Sequence, residues 1–533
     1  VSSPAGLPRS PAGGLAASGP PTPFVERRRF ARRRLDAEAS VELRSGLERG
    51  RRLDALLIEA SPAGLLLRCG EPVRAGDRVT VRAGSEALEG AARGRITHCR
   101  EGGLIVVAVA RGRAEQLHRT LDLAAPWLAG LLLALVVVEI VYLKSFNVRN
   151  FWYNPLTHGY ALLVSAYIVS RCVLSWFYRP PGDSGARPTV TVVVAAKNEE
   201  ASIARTLRHV FDSRYPADRL QVIAVDDGST DGTHAEMERM RMRHPSLQVV
   251  RFERNRGKRH AMAEGARLAH GEILVFVDSD SFLEPDAIAR LAAAFADPEL
   301  GAACGHARVA NPAVNVLTRM QEVHYYVAFR VVKAAESLFH AVTCCSGCLA
   351  AYRRSYLVDS IDGWLNQRFL GRAATFGDDR SLTNLMLRRW KVVYCSEAVC
   401  STIVPETWPV FLRQQLRWKK SWIRESLRAA AFMWKRHPLA AVNFYLGILF
   451  PFAAPFVVFG ALVLPLFTAA PVSSVYVLGA LLMSSLYGLV YLARHRNRYW
   501  IYGVAYAFVV MFVLAWQTYY ALITVRRGHW GTR

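Results

Sequence analysis

Residues 220–231 read LQVIAVDDGSTD and residues 272–280 read EILVFVDSD. In both, an unbroken apolar run ends in a pair of acids. Such a run, with no polar alternation, is the pattern of a strand covered on both faces, as in parallel sheets flanked by helices. The surrounding sequence has the same rhythm: TVTVVVAA (189–196) and LQVVRF (247–252) read as strands, and SIARTLRHVF, HAEMERMRMR and KRHAMAEGARLA as helices. Strict alternation predicts βαβ units and a mostly parallel sheet, an α/β fold. Ligands of such sheets sit at the carboxyl ends of the strands. Asp226, Asp227, Asp278 and Asp280 fall there. Carboxylates in that place can hydrogen-bond a base or ribose, or hold Mg²⁺ or Mn²⁺ against a diphosphate. One such pair could simply cap a helix; two in one run of βα units point to a nucleotide site.

Outside this segment the apolar residues gather in blocks. The chain has 533 residues, 52% of them hydrophobic, a length that predicts two or three domains. Runs at 124–143 and 156–177 are long enough to cross a bilayer as helices and are close enough to form a hairpin; 439–467 and 472–493 predict a second. No cleavable signal is expected, since the first apolar block comes after residue 120. The net charge of +24 is concentrated beside these blocks, at Arg27 to Arg34 and at Arg413, Arg417, Lys419 and Lys420. That placement follows the positive-inside rule, with no nucleic-acid partner, and puts the soluble parts in the cytoplasm of a multi-pass membrane protein. The nine cysteines show no closely spaced framework, which suits a reducing compartment. Residues 408–437 mix Trp, Leu and Phe with Arg and Lys, as an interfacial amphipathic helix does.

Two further motifs carry chemistry. Gly377-Asp378-Asp379-Arg380 offers a carboxylate able to take a proton from an acceptor hydroxyl, with simple pairing to Arg380 as the plainer alternative. Gln414-Gln415-Leu416-Arg417-Trp418 sets Gln414 and Arg417 on one helix face, with a Trp whose flat ring suits a sugar. Arginine matches a diphosphate in charge and in fork geometry.

Together VDDGS, VDSD, GDDR and QQLRW resemble a processive family 2 glycosyltransferase. The stretches VTCCSGCLAAYRRS and RQQLRWKKSWIRES are similar to hyaluronan synthases, chitin synthases and the nodulation chitooligosaccharide synthase. The resemblance covers about residues 185–533. It implies a GT-A type domain over 185–407, interfacial helices over 408–437, and a membrane hairpin plus a re-entrant or interfacial segment over 438–533. It further implies that Asp226 and Asp227 bind the nucleoside, that Lys258 and Asp278 lie near the donor, and that Asp280 holds the metal. Asp379, with Asp378 beside it, would be the catalytic base, and Gln414, Arg417 and Trp418 would close over diphosphate and acceptor. The implied activity is inverting transfer from a UDP-sugar, expected to be UDP-N-acetylglucosamine or a related sugar, to a growing β-linked polymer that is threaded outward, with export proteins as possible partners. Its implied home is a bacterial inner membrane. Alternatives are a non-processive transferase acting on a lipid carrier and a sensor with an inactive transferase domain. Family members usually read CCxGP where this chain has Cys344-Cys345-Ser346-Gly347-Cys348, which leaves the sugar open.

The amino-terminal part begins with residues 1–23, rich in Pro, Gly, Ala and Ser and expected to be disordered. Short strands then alternate with turns over 24–115, a pattern that predicts a small β-barrel. Arg28 and Arg32, with Ser61 and Gly64 in a later xxSxxG, resemble a PilZ domain, which implies cyclic di-GMP as an allosteric activator. The motif begins with Glu59 in place of the usual Asp or Asn, one methylene longer. At the other end, VRRGHWGTR follows an apolar stretch over 499–524, with basic residues on both sides. The positive-inside rule and a WGTR-like motif in hyaluronan synthases predict that this stretch re-enters or lies along the inner surface, breaks near Ala515 to Gln517, packs on neighbouring helices, and returns Trp530 and Arg533 to the donor site. Four crossings are then expected in all.

Overall fold

The computed structural model describes residues 33–43, 52–61, 64–69, 77–83, 91–100, 104–109, 155–468, 474–495 and 497–526. The expectations for residues 1–23, Arg28, Arg32, the 124–143 run, Trp530 and Arg533 lie outside these residues. The chain divides into two compact units, Val1–Leu121 and Asp122–Arg533.

In the first unit six strands, β1 (Arg33–Leu43), β2 (Arg52–Ser61), β3 (Gly64–Cys69), β4 (Arg78–Ala83), β5 (Ala91–Arg100) and β6 (Leu104–Val109), close into an antiparallel barrel in the order β1-β2-β3-β6-β5-β4. The period of two explains it: Val41, Leu43, Leu53, Leu57, Leu65, Leu67, Val79 and Val81 alternate with outward residues and fill the interior. Ser61 and Gly64 face each other across the β2–β3 hairpin.

The second unit is built on eight strands in the order β11-β16-β12-β13-β10-β7-β8-β9. These are β7 (Val190–Ala196), β8 (Leu220–Asp226), β9 (Leu247–Arg251), β10 (Ile273–Asp278), β11 (Ser281–Leu283), β12 (Leu300–Val309), β13 (Ala350–Arg353) and, after a two-stranded ribbon β14 (Arg368–Phe369) and β15 (Arg372–Ala373), β16 (Lys391–Thr402). The predicted βαβ units are present. Strands β9, β8, β7 and β10 run parallel, and β7 is buried along its whole length. Beyond β10 the expectation of a mostly parallel sheet needs correction. Strand β13 runs antiparallel to both β10 and β12, and β11 antiparallel to β16, so the sheet is mixed. Strand β13 comes after a long helical excursion and has only four residues, so its direction is fixed by where that excursion delivers the chain rather than by a repeating βα unit.

Strand order reverses at β7, whose neighbours are β8 and β10, and this reversal opens a crevice at the strands' carboxyl ends. Helices α1 (Pro155–Phe177), α2 (Ile203–Phe211), α3 (Thr233–Arg243) and α4 (Lys258–Leu268) precede or cover this half. Helix α5 (Val316–Val327) continues through a π-helical stretch, Ala328–Lys333, which brings Ala328, Phe329 and Lys333 to the crevice. Helix α6 (Asp378–Leu387) carries the GDDR motif and α7 (Trp408–Met433) the QQLRW motif.

Four helical stretches among the described residues are long and apolar enough to cross a membrane: Gly159–Phe177, Pro438–Leu466, Tyr476–His495 and Trp500–Ile523. Their outer faces carry exposed Leu162, Val173, Trp176 and Phe456, as a lipid-facing surface requires. The expected break at Ala515 to Gln517 is not there. After Trp500–Val509 a π-helical stretch, Val510–Leu514, passes into helix Ala515–Ile523, and the backbone stays helical because each turn still finds carbonyl partners. The expected packing is present: Gln517 Nε2 donates to Leu412 O at 2.9 Å, Lys419 Nζ to Thr518 Oγ1 at 3.0 Å, and the Tyr519 hydroxyl to Phe452 O at 2.6 Å.

Candidate active site

The crevice beside β7 and β10 widens into a cavity of about 360 Å³. Most of its polar lining comes from elements distant in sequence. Lys258 stands at the first turn of α4, Asp278 and Asp280 at the end of β10, and Cys344 to Cys348 on the loop before β13; Asp378 to Arg380 open α6, and Gln414, Arg417, Trp418 and Ser421 form one face of α7. The last four recur at i, i+3, i+4 and i+7, the stripe a helix turns toward one neighbour. Ten of the residues singled out in the sequence are among the described residues of the second unit, and eight of them line this cavity: Lys258, Asp278, Asp280, Asp378, Asp379, Gln414, Arg417 and Trp418.

The other two, Asp226 and Asp227, are not part of the cavity wall. Asp226 is fully buried, accepts from Ser229 N at 2.9 Å, and has Arg251 Nε at 3.6 Å and His234 Nδ1 at 3.8 Å. The Asp227 carboxylate accepts from Arg256 N at 2.7 Å and from Gly257 N at 2.9 Å. Burial pushes its pKa up, against those two bonds and Lys197. Asp227 thus fastens the loop that leads into Lys258.

Asp278 is ion-paired with Lys258. Burial alone would weaken the ammonium, but Asp278, with Asp378 and Asp280, more than offsets it and holds Lys258 above the usual lysine range. A Cβ on Gly347 would stand 2.9 Å from Asp278 Oδ1, so the bare glycine lets the loop close on the acid. Asp378 and Asp379 divide their work. Asp378 Oδ1 accepts from Arg259 Nε at 2.7 Å, both side chains are buried, and Arg259 also donates to Trp364 O and Gln367 Oε1. Asp379 is half-buried; its Oδ1 accepts from Arg380 N at 2.8 Å and its Oδ2 faces the Cys344 thiol at 3.4 Å. Burial lowers the Arg417 guanidinium, against the pull of Asp379, Asp278, Asp378 and Asp280, so the cation stands over a pool of negative charge. Gln414 Oε1 and Ser421 Oγ, both buried polar atoms on this wall, make no hydrogen bond.

Among the described residues no three His, Cys, Asp or Glu side chains gather to hold an ion unaided. Asp278 and Asp280 give two hard oxygen donors at one edge, which fits a cation completed by substrate phosphates. Sequence reasoning missed Arg259, Lys333 and the thiol of Cys344. Lys-Arg at 258–259 gave a faint signal, because adjacent residues at a helix start point about 100° apart and only one can face the cavity.

The sequence of the second unit is similar to known proteins. A model for glycosyl transferase family 2 matches residues 191–360, and a chitin synthase model matches 365–525. A hyaluronan synthase of Streptococcus pyogenes serotype M6 is 31% identical over 412 residues, 75% of this chain and 97% of that protein. An N-acetylglucosaminyltransferase of Mesorhizobium japonicum is 36% identical over 303 residues, 54% of this chain and 69% of its own. A mannosyltransferase of Pyrobaculum calidifontis, solved with GDP-Man and Mn²⁺, superposes with a TM-score of 0.49 at 24% identity, over 69% of this chain and 99% of that one. With 31% identity that covers 97% of a hyaluronan synthase, and with both models matched along the second unit, the chain belongs to the family 2 glycosyltransferases, in the group of the hyaluronan and chitin synthases.

Proposed function

We propose that this protein is a processive polysaccharide synthase that transfers a sugar from a UDP-sugar, UDP-N-acetylglucosamine or a close relative, to the end of a β-linked polymer and feeds the product through its membrane helices. The observation that carries the reading is the meeting of Asp379 and Arg417 in one cavity that Asp278 and Asp280 also line. Asp379 accepts the proton of the acceptor hydroxyl. The oxygen bonds to the anomeric carbon from the face opposite the leaving group, the bond to the diphosphate breaks, and its electron pair leaves with UDP. Arg417 and Lys258 stabilise the charge that develops there, the task of fixed cations in a cavity that excludes water. Asp278 and Asp280 would hold Mg²⁺ or Mn²⁺, which when bound neutralises the diphosphate. Trp418 gives the acceptor sugar a flat apolar face. Asp226 and Asp227 shape the nucleoside end, and Trp530 and Arg533 would complete it from the tail.

The barrel adds regulation to this reading. A closed six-stranded barrel with Ser61 opposite Gly64 is suited to a PilZ role, with Arg28 and Arg32 gripping cyclic di-GMP and activating transfer. The assay is UDP release by the purified protein over a panel of UDP-sugars, with and without cyclic di-GMP. Release with one donor, lost at least ~10²-fold in Asp379→Asn, is expected from the loss of a general base. No release with any donor overturns the synthase, short products on a gel favour a lipid-carrier transferase, and release indifferent to the dinucleotide removes the regulatory part.

A further inference from the structure

We propose that Cys344 is a positioning residue for the base: its thiol donates to Asp379 and helps keep that carboxylate charged and aimed at the acceptor hydroxyl. The inference rests on the synthase reading above and concerns a residue outside the acid and QQLRW motifs. Cys344 Sγ lies 3.4 Å from Asp379 Oδ2, while the other oxygen, Oδ1, is taken by Arg380 N at 2.8 Å. The thiol therefore meets the oxygen that the backbone leaves open.

The loop bearing Cys344 is locked to the helix bearing Asp379. Thr383 Oγ1 donates to Asp379 O at 2.6 Å and accepts from Cys345 N at 2.8 Å, so a single hydroxyl staples loop to helix. From below, the buried Lys333 ammonium donates to Cys344 O. These two bonds hold the backbone of Cys344 beside the carboxylate that its thiol meets. Burial, and then the Asp379 charge, push the Cys344 pKa up to about 12, so at neutral pH it is a protonated donor and not a nucleophile.

Hydrogen bonding to the charged form of a carboxylate favours that form. The donor meets the carboxylate form only, so the pH profile of transfer reads its loss: without the thiol the acid limb of that profile moves upward. Other charges line the same cavity: Arg380 on the helix of Asp379, Arg417 on α7, Lys258 on α4, Lys333 after α5, and Asp278 and Asp280 at the end of β10, while Asp378 is paired with Arg259. Tyr352 on β13 and the thiols of Cys345 and Cys348 complete the surroundings. All of these stay in place when Cys344 loses only its sulfur.

The experiment compares Cys344→Ala with Cys348→Ala in the full-length protein, reading UDP release as kcat/KM between pH 5 and 9, with thermal unfolding as a check on folding. Cys348 lines the same cavity on the same loop and makes no bond to Asp379. The expected result is an acid limb moved up by roughly half to one pH unit in Cys344→Ala, with the upper-pH plateau largely kept, and no movement in Cys348→Ala. A uniform rate loss with an unmoved limb, or equal movement in both variants, overturns the inference while the synthase stands. Wild type that releases no UDP overturns the synthase reading, and this one with it.

Discussion

Asp378 and Asp379 are neighbours in sequence with opposite tasks. Adjacent positions at a helix start point about 100° apart, so the two carboxylates that line the cavity reach different partners. Asp378 meets Arg259 at 2.7 Å with both side chains buried. Breaking one partner of a buried pair leaves an uncompensated charge and costs about 3–5 kcal/mol. Asp378→Asn is therefore expected to lower thermal stability by about that amount, whereas Asp379→Asn should unfold close to wild type and lose turnover. Calorimetry alongside UDP release separates the two; a stable Asp378→Asn would show that the pair adds little. The sequence told that GDDR matters, yet both acids read alike there, because the distinction lies in Arg259, 119 residues away.

At the scale of elements, the site depends on how closely α6 approaches α7. Gly377 caps α6 in a left-handed conformation, φ +81°, and a Cβ there would stand 1.9 Å from Ser421 Oγ and 2.7 Å from Ser421 Cβ. Gly377→Ala brings both an unfavourable backbone, about 1–2 kcal/mol, and a clash with the helix that carries Arg417 and Trp418. Turnover should fall at least ~10-fold, since a displacement near 1 Å can cost that or more. Trimming the neighbour in Gly377→Ala/Ser421→Ala should restore only part of it, because the Ser421 Cβ remains in the way. Full activity in the single variant would show that the helices can part without harm. The elements themselves were readable: β7, β8, β9 and β10 and the helices between them follow from apolar runs and 3.6-residue spacing. Strand β13, with four residues and an antiparallel direction, has no such local signal.

Over the whole molecule, four helices among the described residues are long and apolar enough to cross a membrane, and the proposed synthase would work on one side of it and release its product on the other. Pro438–Leu466 and Tyr476–His495 are joined by a short segment around Thr468. A reporter inserted after Thr468 is expected to read the face opposite to one inserted after Gly182, in the linker before β7. The same reading at both positions would refute this hairpin. The helix Trp500–Ile523 is tied to α7 through Gln517 and Thr518, so the fold couples this candidate membrane helix to the one that carries Arg417. The sequence alone determined the parallel half of the sheet, the barrel strands, the apolar spans and eight of the residues that line the cavity. These follow from local periodicity and residue chemistry, which every segment carries within itself. Only the tertiary structure decided that the sheet is mixed, that the 499–524 stretch stays helical through its expected break, that Asp227 braces a loop outside the cavity wall, and that Cys344 faces Asp379. Each of these depends on which distant surfaces meet, a matter of packing among elements that no single stretch of sequence encodes.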